Sequence, residues 1–420
     1  MKFGLIGEKL SHSFSAQIHN RLFDYEYTLC ELTADQFGPF MLDRDFDAIN
    51  VTIPYKEAVL PYLDVVDDVA MQIGAVNTVV NRNGKLHGYN TDFEGLRSLV
   101  ERSGIPIRDK KVLILGSGGT SKTAETTASL LGCSSVWRVS RTARDGCISY
   151  VQAKREHADA QVIINTTPCG MHPLREPSPI MLDDYPSLIG VVDVVYNPLR
   201  TQLVCDALSR GIPAVGGLYM LVKQAANAAE LFVGDAVPTE KVDEIYRHLY
   251  ADKENIVLVG MPGCGKTTVG KQLAALMNRP FIDTDDLIVA KAGCAISDIF
   301  QKVGESGFRN IESEVVSDVS RLQGAVIATG GGAVLRSDNV QLLKENGRIY
   351  FLDRPLAQLD VTNDRPLSST WEDLQKVYNE RYSVYSAVCD AKIESDCAAE
   401  DVVTLIREDF LYEHFGDQRT

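Results

Sequence analysis

The stretch IVLVGMPGCGKTTVGKQLAAL, residues 256–276, decides the fold of the C-terminal part of the chain. A short apolar run leads into a glycine-rich turn, and a helical pattern follows it. The turn fits the spacing G-x-x-x-x-G-K-[ST] of a phosphate-binding loop between a strand and a helix. Backbone N–H groups of such a loop surround phosphate oxygens, its lysine reaches the β- and γ-phosphates, and its first threonine binds Mg²⁺. The residues expected to contact a nucleotide are Gly260, Gly263, Cys264, Gly265, Lys266, Thr267 and Thr268.

The stretch KVLILGSGGTSKTAETTASLL, residues 111–131, has the same strand–turn–helix setting. Glycines in such a turn let the backbone approach a pyrophosphate, and the helix N-terminus supplies N–H groups and a positive dipole end. Thr120 stands near the place of the third glycine of G-x-G-x-x-G, so the pattern fits a plain glycine turn as well as a dinucleotide site. The candidate pyrophosphate contacts are Gly116, Ser117, Gly118, Gly119 and Thr120.

The next predicted strand, in VWRVSRTAR at residues 136–144, bears on the choice of dinucleotide. An NAD enzyme carries an acidic residue near this strand end, where it binds the ribose. This chain has hydroxyl and guanidinium groups there, at Ser140, Arg141, Thr142 and Arg144. Such groups suit a 2′-phosphate, so the sequence favours NADP over NAD. The alternative is a solvated basic strand end without a ligand.

Other short apolar runs alternate with helical patterns along the whole chain. Continuously apolar, β-branched runs are typical of strands buried on both faces of parallel sheets, with helices as the crossovers. We therefore predict an α/β fold. The remaining runs are FGLIG (3–7), VIIN (162–165), VVDVVY (191–196), AVIATG (325–330) and RIYFLD (348–353).

Composition excludes several classes of protein. The chain has 420 residues, 45% hydrophobic and 24% charged, so it is not mainly disordered and is long enough for two or three domains. No apolar run approaches the roughly 18 residues of a spanning helix, and no secretory leader precedes the first strand. The net charge of −15 argues against nucleic acid and acidic membranes as partners, but not against small anionic substrates. Nine scattered cysteines without a CxxC pair predict reduced thiols and a cytoplasmic enzyme.

Four short polar motifs precede the dinucleotide stretch, each just after a predicted strand, where loops gather functional side chains. Taken singly, each motif fits turn capping or a solvated lysine as well as a site. Together they offer hydroxyl, amide, carboxylate and ammonium groups for a small polyhydroxylated acid, and Lys56 and Asp92 form a proton-transfer pair if they meet in space. The motifs are SHSFS (11–15), NVTIPYK (50–56), GAVNT (74–78) and GYNTD (88–92).

The order of these motifs, continued by NTTPCGM (165–171), DVVYNPLRT (193–201) and GLYMLVKQAA (217–226), resembles shikimate dehydrogenase over residues 1 to about 250. The resemblance implies that Lys56 is catalytic with Asp92 as its partner, and that Ser13 and Ser15 hold the substrate carboxylate. The implied contacts of the ring hydroxyls are Thr52, Asn77, Asp92 and Gln224, with Tyr196 nearby. The implied further cofactor contacts are Thr167, Val194 and Gly217.

The motifs after the phosphate-binding loop resemble shikimate kinase from residue 255 to about 415. They are FIDTDDLI (281–288), GESGFRNIE (304–312), ATGGGAV (328–334), NDRPL (363–367) and ERYSVY (380–385). The resemblance implies that Asp285 contacts the phosphate-accepting hydroxyl, that Asp283 supports Mg²⁺ with Thr267, and that Arg365 stabilises the transferring phosphoryl group. The implied substrate contacts besides Asp285 are Arg309, Arg381, Gly330, Gly331 and Gly332.

Two departures from the family patterns concern loops. Leu10 and Ala16 stand where the dehydrogenase family often has prolines, and DVTND at residues 360–364 replaces a longer, more basic lid of the kinase family. The first departure concerns loop geometry in the dehydrogenase part. The second leaves open how the kinase part binds the nucleotide base.

The two resemblances predict a bifunctional enzyme with NADP(H), ATP and Mg²⁺ as its cofactors. The expected fold is a substrate-binding α/β lobe (1–100), a Rossmann-type NADP lobe whose last helices return to the substrate lobe (101–252), and a P-loop kinase domain with a central parallel sheet (253–420). The predicted reactions are reduction of 3-dehydroshikimate and phosphorylation of shikimate. One alternative is a dehydrogenase of broader preference that uses quinate or NAD. Another is a kinase-like unit that only senses its ligand, although Lys56, Asp92, Lys266 and Asp285 are all present.

Overall fold

The structure is a computed structural model that describes residues 2–10, 14–143, 146–174, 176–359 and 370–416. The chain divides into two compact units. Unit 1 consists of Met1–Asn197 and Leu203–Tyr246, and unit 2 consists of Pro198–Gln202 and Arg247–Thr420. Over the described residues, no helix is both long enough and apolar enough to cross a membrane. All nine cysteines are free thiols.

The N-terminal lobe of unit 1 is built on a mixed sheet of order β2-β1-β3-β5-β6-β4. Its strands are β1 Phe3–Gly7, β2 Tyr27–Glu31, β3 Ala48–Val51, β4 Val65–Val66, β5 Thr78–Arg82 and β6 Lys85–Tyr89. Its helices are α1 Ser15–Leu22, α2 Ala34–Asp43, α3 Tyr55–Ala58, α4 Asp68–Ile73 and α5 Thr91–Ser103, with a 3₁₀ turn at Leu60–Tyr62.

The parallel arrangement expected of the apolar runs is therefore incomplete in this lobe. β1 pairs in parallel with both of its neighbours, but β5 runs antiparallel to both β3 and β6. Asn83 and Gly84 join β5 to β6, and both have positive φ angles, 54° and 84°. An Asn-Gly pair with this backbone makes the two-residue turn of a β-hairpin.

The second lobe of unit 1 has a parallel sheet of order β12-β11-β10-β7-β8-β9. Its strands are β7 Lys111–Leu115, β8 Ser135–Ser140, β9 Cys147–Ser149, β10 Val162–Asn165, β11 Gly190–Asp193 and β12 Ala214–Val215. The helices are α6 Gly119–Leu130, α7 Tyr150–Glu156, α8 Gln202–Ser209, α9 Leu218–Val233 and α10 Thr239–Lys253, with a 3₁₀ turn at Leu182–Asp184. The first residue of α8 and the part of α10 from Arg247 onward are assigned to unit 2. α9 packs against α5 and α1 of the N-terminal lobe.

One predicted strand of this lobe, residues 191–196, is shorter than expected. β11 ends at Asp193 because the side chain of that residue turns back on the chain. Asp193 Oδ1 accepts hydrogen bonds from Val195 N at 3.0 Å and from Asn165 Nδ2 at 2.9 Å. The residues after Asp193 are thereby released from the strand to form a loop.

Unit 2 has a parallel sheet of order β14-β15-β13-β16-β17, with the phosphate-binding loop following its central strand. The strands are β13 Asn255–Val259, β14 Phe281–Asp283, β15 Val326–Ala328, β16 Gly347–Asp353 and β17 Ala391–Glu394. The helices are α11 Lys266–Met277, α12 Thr284–Ala292, α13 Ile296–Val319 (interrupted at Gly304), α14 Ser337–Asn346, α15 Trp371–Val388 and α16 Ala399–Phe415, with 3₁₀ turns at Ala333–Leu335 and Leu356–Gln358.

The strand order of unit 2 gathers its sequence motifs at one edge. Every residue of β13 is buried, as expected of a central parallel strand. β15 lies between β13 and β14, so the loops after these three strands leave the same edge of the sheet side by side. The phosphate-binding glycines follow β13, the segment Gly330–Gly332 follows β15, and Asp285 lies in the first turn of α12, directly after β14. Ligands of open α/β sheets bind at this carboxyl edge.

Candidate active sites

Lys56 and Asp92 meet in the N-terminal lobe of unit 1. Lys56 lies in α3, just after β3, and Asp92 lies in the first turn of α5. The Nζ atom of Lys56 donates to Oδ2 of Asp92 at 2.6 Å, and the two side chains are only 19% and 11% exposed. The structure therefore brings together the two groups that the sequence suggested as a proton-transfer pair. A half-buried ammonium held by a carboxylate can donate a proton to a neighbouring oxygen.

Asn77 lies beside this pair. Its Oδ1 atom accepts from Thr91 N at 2.7 Å, and its Nδ2 atom donates to Thr91 Oγ1 at 3.1 Å. These bonds fix the Asn77 amide against Thr91, the residue that immediately precedes Asp92. The backbone also ties this segment to the catalytic lysine, since Val76 N donates to the carbonyl of Lys56 at 2.8 Å.

The other predicted substrate contacts lie on separate elements of unit 1. Thr52 follows β3 and is half-buried, and Ser15 is the buried first residue of α1. The Tyr196 ring packs edge-on against Phe14, with ring centroids 5.8 Å apart, and burial raises the pKa of the Tyr196 phenol. Ser13 lies outside the described residues.

A glycine in α5 controls the position of Gln224 on α9. A Cβ atom added at Gly95 would lie 2.8 Å from the carbonyl oxygen of Met220 and 3.0 Å from Cβ of Gln224. Gly95 is three residues after Asp92 on the same helix, so this close approach brings Gln224 to the turn that carries Asp92. Gln224 Nε2 donates to Leu221 O at 2.9 Å. Sequence reasoning missed Gly95, although a glycine inside a helical pattern is a signal of close packing.

The predicted pyrophosphate residues lie between β7 and α6. Gly116 has a φ of 129°, and a Cβ atom added there would lie 2.4 Å from Oγ1 of Thr166. Gly118 is the N-cap of α6, so Gly119 and Thr120 form its first turn, where backbone N–H groups lack helical partners. Ser117 stands between the two glycines. The arrangement leaves a helix N-terminus that can accept an anion.

The remaining predicted cofactor contacts, Thr167, Val194 and Gly217, follow β10, β11 and β12 respectively. Thr167 Oγ1 donates to Asn165 Oδ1 at 2.6 Å. A Cβ atom added at Gly217 would lie 2.1 Å from the carbonyl oxygen of Val194, so only glycine permits this backbone approach. Val194 and Gly217, which the family pattern assigns to the same cofactor, are therefore in direct contact.

The predicted 2′-phosphate residues lie at and after the end of β8. Ser140 is buried, and its hydroxyl donates to the carbonyl of Thr142. Arg141 and Thr142 are exposed, and Arg144 lies outside the described residues. The Arg141 guanidinium is thus accessible to a ligand, whereas the Ser140 hydroxyl is engaged with the chain.

In unit 2, the phosphate-binding loop is formed with its lysine folded onto its own backbone. Lys266 Nζ donates to the carbonyl oxygens of Gly260 and Met261, each at 2.9 Å. Gly265, the N-cap of α11, has a φ of 93° that favours glycine. Cys264 is buried, which suits a small filler between Gly263 and Gly265. Thr268 is exposed in the first turn of α11.

The predicted magnesium residues are joined to each other. Thr267 Oγ1 donates to Asp283 Oδ2 at 2.8 Å. Asp283 also caps α12, since its Oδ1 atom accepts from Asp285 N at 3.0 Å. A hydroxyl and a carboxylate at the mouth of a phosphate-binding loop are oxygen ligands of the kind that Mg²⁺ takes.

The segment Gly330–Gly332 is closely covered by charged side chains. A Cβ atom added at Gly330 would lie 2.8 Å from Oδ1 of Asp285 and 2.9 Å from Oε1 of Glu312. A Cβ atom added at Gly332 would lie 2.2 Å from Nη1 of Arg309. The glycines therefore let a carboxylate pair and a guanidinium rest directly on the backbone.

Glu312 is a site residue that sequence reasoning missed. Its Oε2 atom accepts from Arg309 Nη1 at 2.7 Å, and burial raises the pKa of the Glu312 carboxyl while the Arg309 charge opposes the rise. Glu312 lies within the quoted motif GESGFRNIE, three residues after Arg309, and that helical spacing was the available signal.

Two polar atoms of this cluster, on Glu312 and Arg381, are buried. Within the part of the chain that the structure describes, Glu312 Oε1 and Arg381 Nε are buried without a hydrogen-bond partner. Arg381 lies on α15, one turn before Tyr385, whose hydroxyl donates to the carbonyl of Gly331. Buried polar groups are almost always satisfied, so these two atoms are available to a polar ligand or to water. Arg365 and the segment DVTND (360–364) lie outside the described residues.

Comparison with known proteins gives two matches to family models. Residues 5–79 match the shikimate dehydrogenase substrate binding domain, and residues 262–410 match shikimate kinase. A shikimate dehydrogenase (NADP(+)) of Clostridium beijerinckii is 35% identical over 247 residues, which cover 55% of this chain and 91% of that protein. The chain belongs to the shikimate dehydrogenase family.

Solved structures of shikimate dehydrogenases have the same fold as the N-terminal part of the chain. Shikimate dehydrogenase 1 from Peptoclostridium difficile is 34% identical with a TM-score of 0.55, and the match covers 59% of this chain and 98% of that one. The shikimate 5-dehydrogenase from Thermus thermophilus, in complex with NADP(H) and shikimate, is 29% identical with a TM-score of 0.53, covering 59% and 99%.

Together the comparisons establish a bifunctional enzyme of the shikimate pathway. Its N-terminal part is an NADP-dependent shikimate dehydrogenase, and its C-terminal part carries a shikimate kinase domain, which implies ATP and Mg²⁺. The expectations of an α/β fold, of two enzyme activities and of these cofactors are confirmed. The substrates implied by both families are small molecules.

Proposed function

We propose that unit 1 reduces 3-dehydroshikimate to shikimate with NADPH, and that unit 2 phosphorylates shikimate to shikimate 3-phosphate with ATP. The observation that carries the proposal is the 2.6 Å contact of Lys56 with Asp92, set among hydroxyl and amide groups. The cluster of Asp285, Arg309 and Arg381 supports the second reaction, because it offers charges of both signs to a hydroxylated acid. The product of the first reaction is then the substrate of the second.

In unit 1, the proposed catalytic residue is Lys56. When bound, NADPH supplies the hydride, and the ketone oxygen becomes an alkoxide as the hydride arrives. The Lys56 ammonium stabilises the growing negative charge and donates its proton to that oxygen. Asp92 holds the ammonium in place from the other side, since its carboxylate accepts from Lys56 Nζ.

The other substrate contacts are proposed from the family pattern. Ser13 and Ser15 would hold the carboxylate through their hydroxyls. The ring hydroxyls would be bound by Thr52, Asn77, Asp92 and Gln224, with Tyr196 nearby. The half-buried position of Thr52 and the buried amide of Asn77 support such roles, since they can form hydrogen bonds shielded from water.

The cofactor contacts of unit 1 are proposed on the loops of the second lobe. The positive φ of Gly116 and the N-terminus of α6 suit a pyrophosphate held by backbone N–H groups. The exposed guanidinium of Arg141 suits a 2′-phosphate, together with Thr142 and Arg144. Thr167, Val194 and Gly217 would lie against the rest of the dinucleotide.

In unit 2, Asp285 is proposed to orient and deprotonate the accepting hydroxyl, and Arg309 and Arg381 to hold the substrate carboxylate. ATP supplies the phosphoryl group when bound. Lys266 would leave its own backbone carbonyls to contact the phosphates, and Thr267 and Asp283 would hold Mg²⁺. Arg365 is proposed to stabilise the transferring group, and Gly330, Gly331 and Gly332 to contact the ring.

We also propose the domain limits 1–100, 101–252 and 253–420, and a location in the cytoplasm.

A single assay tests both reactions. Purified chain is given 3-dehydroshikimate and NADPH, with or without ATP and Mg²⁺, while NADPH consumption and shikimate 3-phosphate are measured. We expect NADPH consumption in both cases and the phosphorylated product only with ATP. A chain that consumes no NADPH, or that leaves shikimate unphosphorylated, would contradict the corresponding half of the proposal.

Replacing Arg141 with alanine is expected to raise the KM for NADPH about ten- to a hundredfold and to change the KM for NADH little. The expected loss is one charge-assisted hydrogen bond to the 2′-phosphate, which NADH lacks. Steady-state rates with each cofactor measure the effect. Arg155→Ala is the matched control, because Arg155 is an exposed arginine of the same lobe. An equal rise in the KM for NADPH and for NADH would show that Arg141 does not bind the 2′-phosphate.

Replacing Gly332 with alanine is expected to raise the KM for shikimate in the kinase reaction about ten- to a hundredfold. The φ of Gly332 is −109°, so the added Cβ causes no backbone strain, but it displaces the Arg309 guanidinium. The dehydrogenase activity of the same variant serves as the internal control. Arg309→Ala should give a similar KM, and the double variant no further change. A Gly332→Ala enzyme with an unchanged KM for shikimate would show that Arg309 does not contribute to substrate binding.

A further inference from the structure

A buried chain of hydrogen bonds leads to the amide of Asn77 in the N-terminal lobe. The Tyr27 hydroxyl donates to Asn50 Oδ1 at 2.7 Å, and Asn50 Nδ2 donates to Thr78 Oγ1 at 3.0 Å. Thr78 Oγ1 in turn donates to Asn77 Oδ1 at 3.1 Å. All four residues are at most 7% exposed, so water does not compete with these bonds. We call Tyr27, Asn50, Thr78 and Asn77 the relay.

The orientation of the two amides in the relay is fixed by backbone atoms that can play one role only. Asn50 Nδ2 also donates to the carbonyl oxygen of Asn77 at 3.3 Å, which can only accept. Thr91 N lies 2.7 Å from Asn77 Oδ1 and can only donate. Both amides are thereby oriented. Because Asn50 donates to the Thr78 hydroxyl oxygen, the proton of that hydroxyl points away from Asn50, where Asn77 Oδ1 lies at 3.1 Å and Thr91 Oγ1 at 3.2 Å.

The relay leaves Asn77 as a hydrogen-bond donor toward the site. Its Oδ1 atom accepts from Thr91 N at 2.7 Å, and the hydroxyl oxygens of Thr78 and Thr91 also lie within hydrogen-bond distance of it, at 3.1 and 3.2 Å. One of its two N–H groups is bonded to Thr91 Oγ1 at 3.1 Å. For the second N–H group, the described residues supply no partner, and the amide lies next to the residue that precedes Asp92.

We propose that Asn50 and Thr78 are positioning residues that hold the Asn77 amide with its N–H toward the substrate. A substrate oxygen beside Asn77 must then accept a hydrogen bond. If that oxygen belongs to a hydroxyl, its own proton is free for the Asp92 carboxylate, which can only accept. The relay thus sets the donor and acceptor pattern that the site demands of its ligand. The inference rests on the proposed substrate of unit 1.

Replacing Thr78 with valine tests the relay, because it keeps the side-chain shape and removes the hydroxyl. The KM for shikimate in NADP-dependent oxidation is expected to rise about tenfold, as for one lost hydrogen bond, while the KM for NADP stays unchanged. Thr78→Ser retains the hydroxyl and is expected to keep a KM near that of the wild type. Asn81→Ala is the control on the same strand. Its half-buried amide bonds only backbone groups of Arg44, Phe46 and Gly84, outside the relay.

A double variant separates positioning from a general loss of structure. In an Asn77→Ala background, Thr78→Val is expected to cause no further rise in KM, because it acts through Asn77. Additive effects of the two substitutions, or a Thr78→Val enzyme with the wild-type KM, would overturn the inference. An Asn81→Ala enzyme with the same rise as Thr78→Val would also overturn it. Oxidation of shikimate by the wild type is measured first. A wild type that does not oxidise shikimate would contradict the proposed function, whereas an active wild type with unaffected variants would contradict the relay.

Discussion

Lys56→Ala is expected to lower kcat for 3-dehydroshikimate reduction by about 10²- to 10⁴-fold, the range that a positioned general acid contributes. The ammonium lies 2.6 Å from the Asp92 carboxylate and is largely shielded from water, so it is held where a developing alkoxide needs it. Alanine removes both the charge and the proton. Steady-state kinetics of NADPH oxidation, with the KM for each substrate, measure the effect.

Two controls accompany this variant. Lys111 forms an ion pair with Asp159, also at 2.6 Å, in the same unit but away from the site. Lys111→Ala therefore removes a lysine–carboxylate pair of equal length, and it is expected to leave kcat within about twofold, as for most exposed pairs. The kinase activity of Lys56→Ala reports whether unit 2 is intact. If Lys56→Ala retains a near wild-type kcat, another group donates the proton.

The phosphate-binding loop and the polar motifs could be predicted from sequence because local rules decide them. A glycine-rich turn between a strand and a helix can adopt few backbone conformations. The spacing of its glycines, lysine and threonine indicates which ligand it binds. The same holds for strands buried on both faces, whose apolar runs match the observed elements closely. β11 is an exception, because the Asp193 side chain ends it early through two hydrogen bonds that the apolar pattern does not show.

Other features depend on contacts between distant parts of the chain. Gly95 matters because α9 packs on it, and Glu312 matters because Arg309 and Gly330 lie against it. The periodicity of one helix carries no information about what approaches it. The β5–β6 hairpin could have been predicted locally, because Asn-Gly, here Asn83 and Gly84, is a known signal for a two-residue hairpin turn. The prediction from apolar runs alone did not use this signal.

The residues 198–202 show the same limit for domain organisation. The first four of them lie within the dehydrogenase motif DVVYNPLRT (193–201), yet the whole segment belongs to unit 2. There, Arg200 Nη2 donates to the buried Glu254 at 2.9 Å, and Leu199 N donates to Asn346 Oδ1 at 2.9 Å. A boundary drawn from a polar run in the sequence cannot anticipate that a short segment, distant in the chain, satisfies buried polar groups of unit 2 and is part of that unit.

Lys266→Ala is expected to lower kcat for shikimate phosphorylation by on the order of 10³-fold and to leave NADPH oxidation unchanged. Phosphoryl transfer relies on charge stabilisation and positioning, so loss of the cation that reaches the β- and γ-phosphates removes a main contribution. Among the residues that the structure describes, the partners of Lys266 Nζ are the loop carbonyls of Gly260 and Met261 and, at 3.7 Å, Cys264 Sγ. Its release toward a nucleotide exchanges two neutral acceptors for charged phosphate oxygens.

The matched control is Lys271→Ala, on the same helix. Lys271 lies 5.9 Å from the ring centroid of Phe281 and contacts none of the loop carbonyls that hold Lys266. We expect its kcat to stay within a few-fold of the wild type. Production of shikimate 3-phosphate and thermal unfolding are measured for both variants. If a folded Lys266→Ala chain phosphorylates shikimate at the wild-type rate, Lys266 is not required for phosphoryl transfer. Loss of NADPH oxidation in the same folded chain would instead show that the two activities depend on each other, because the two catalytic lysines lie in separate units.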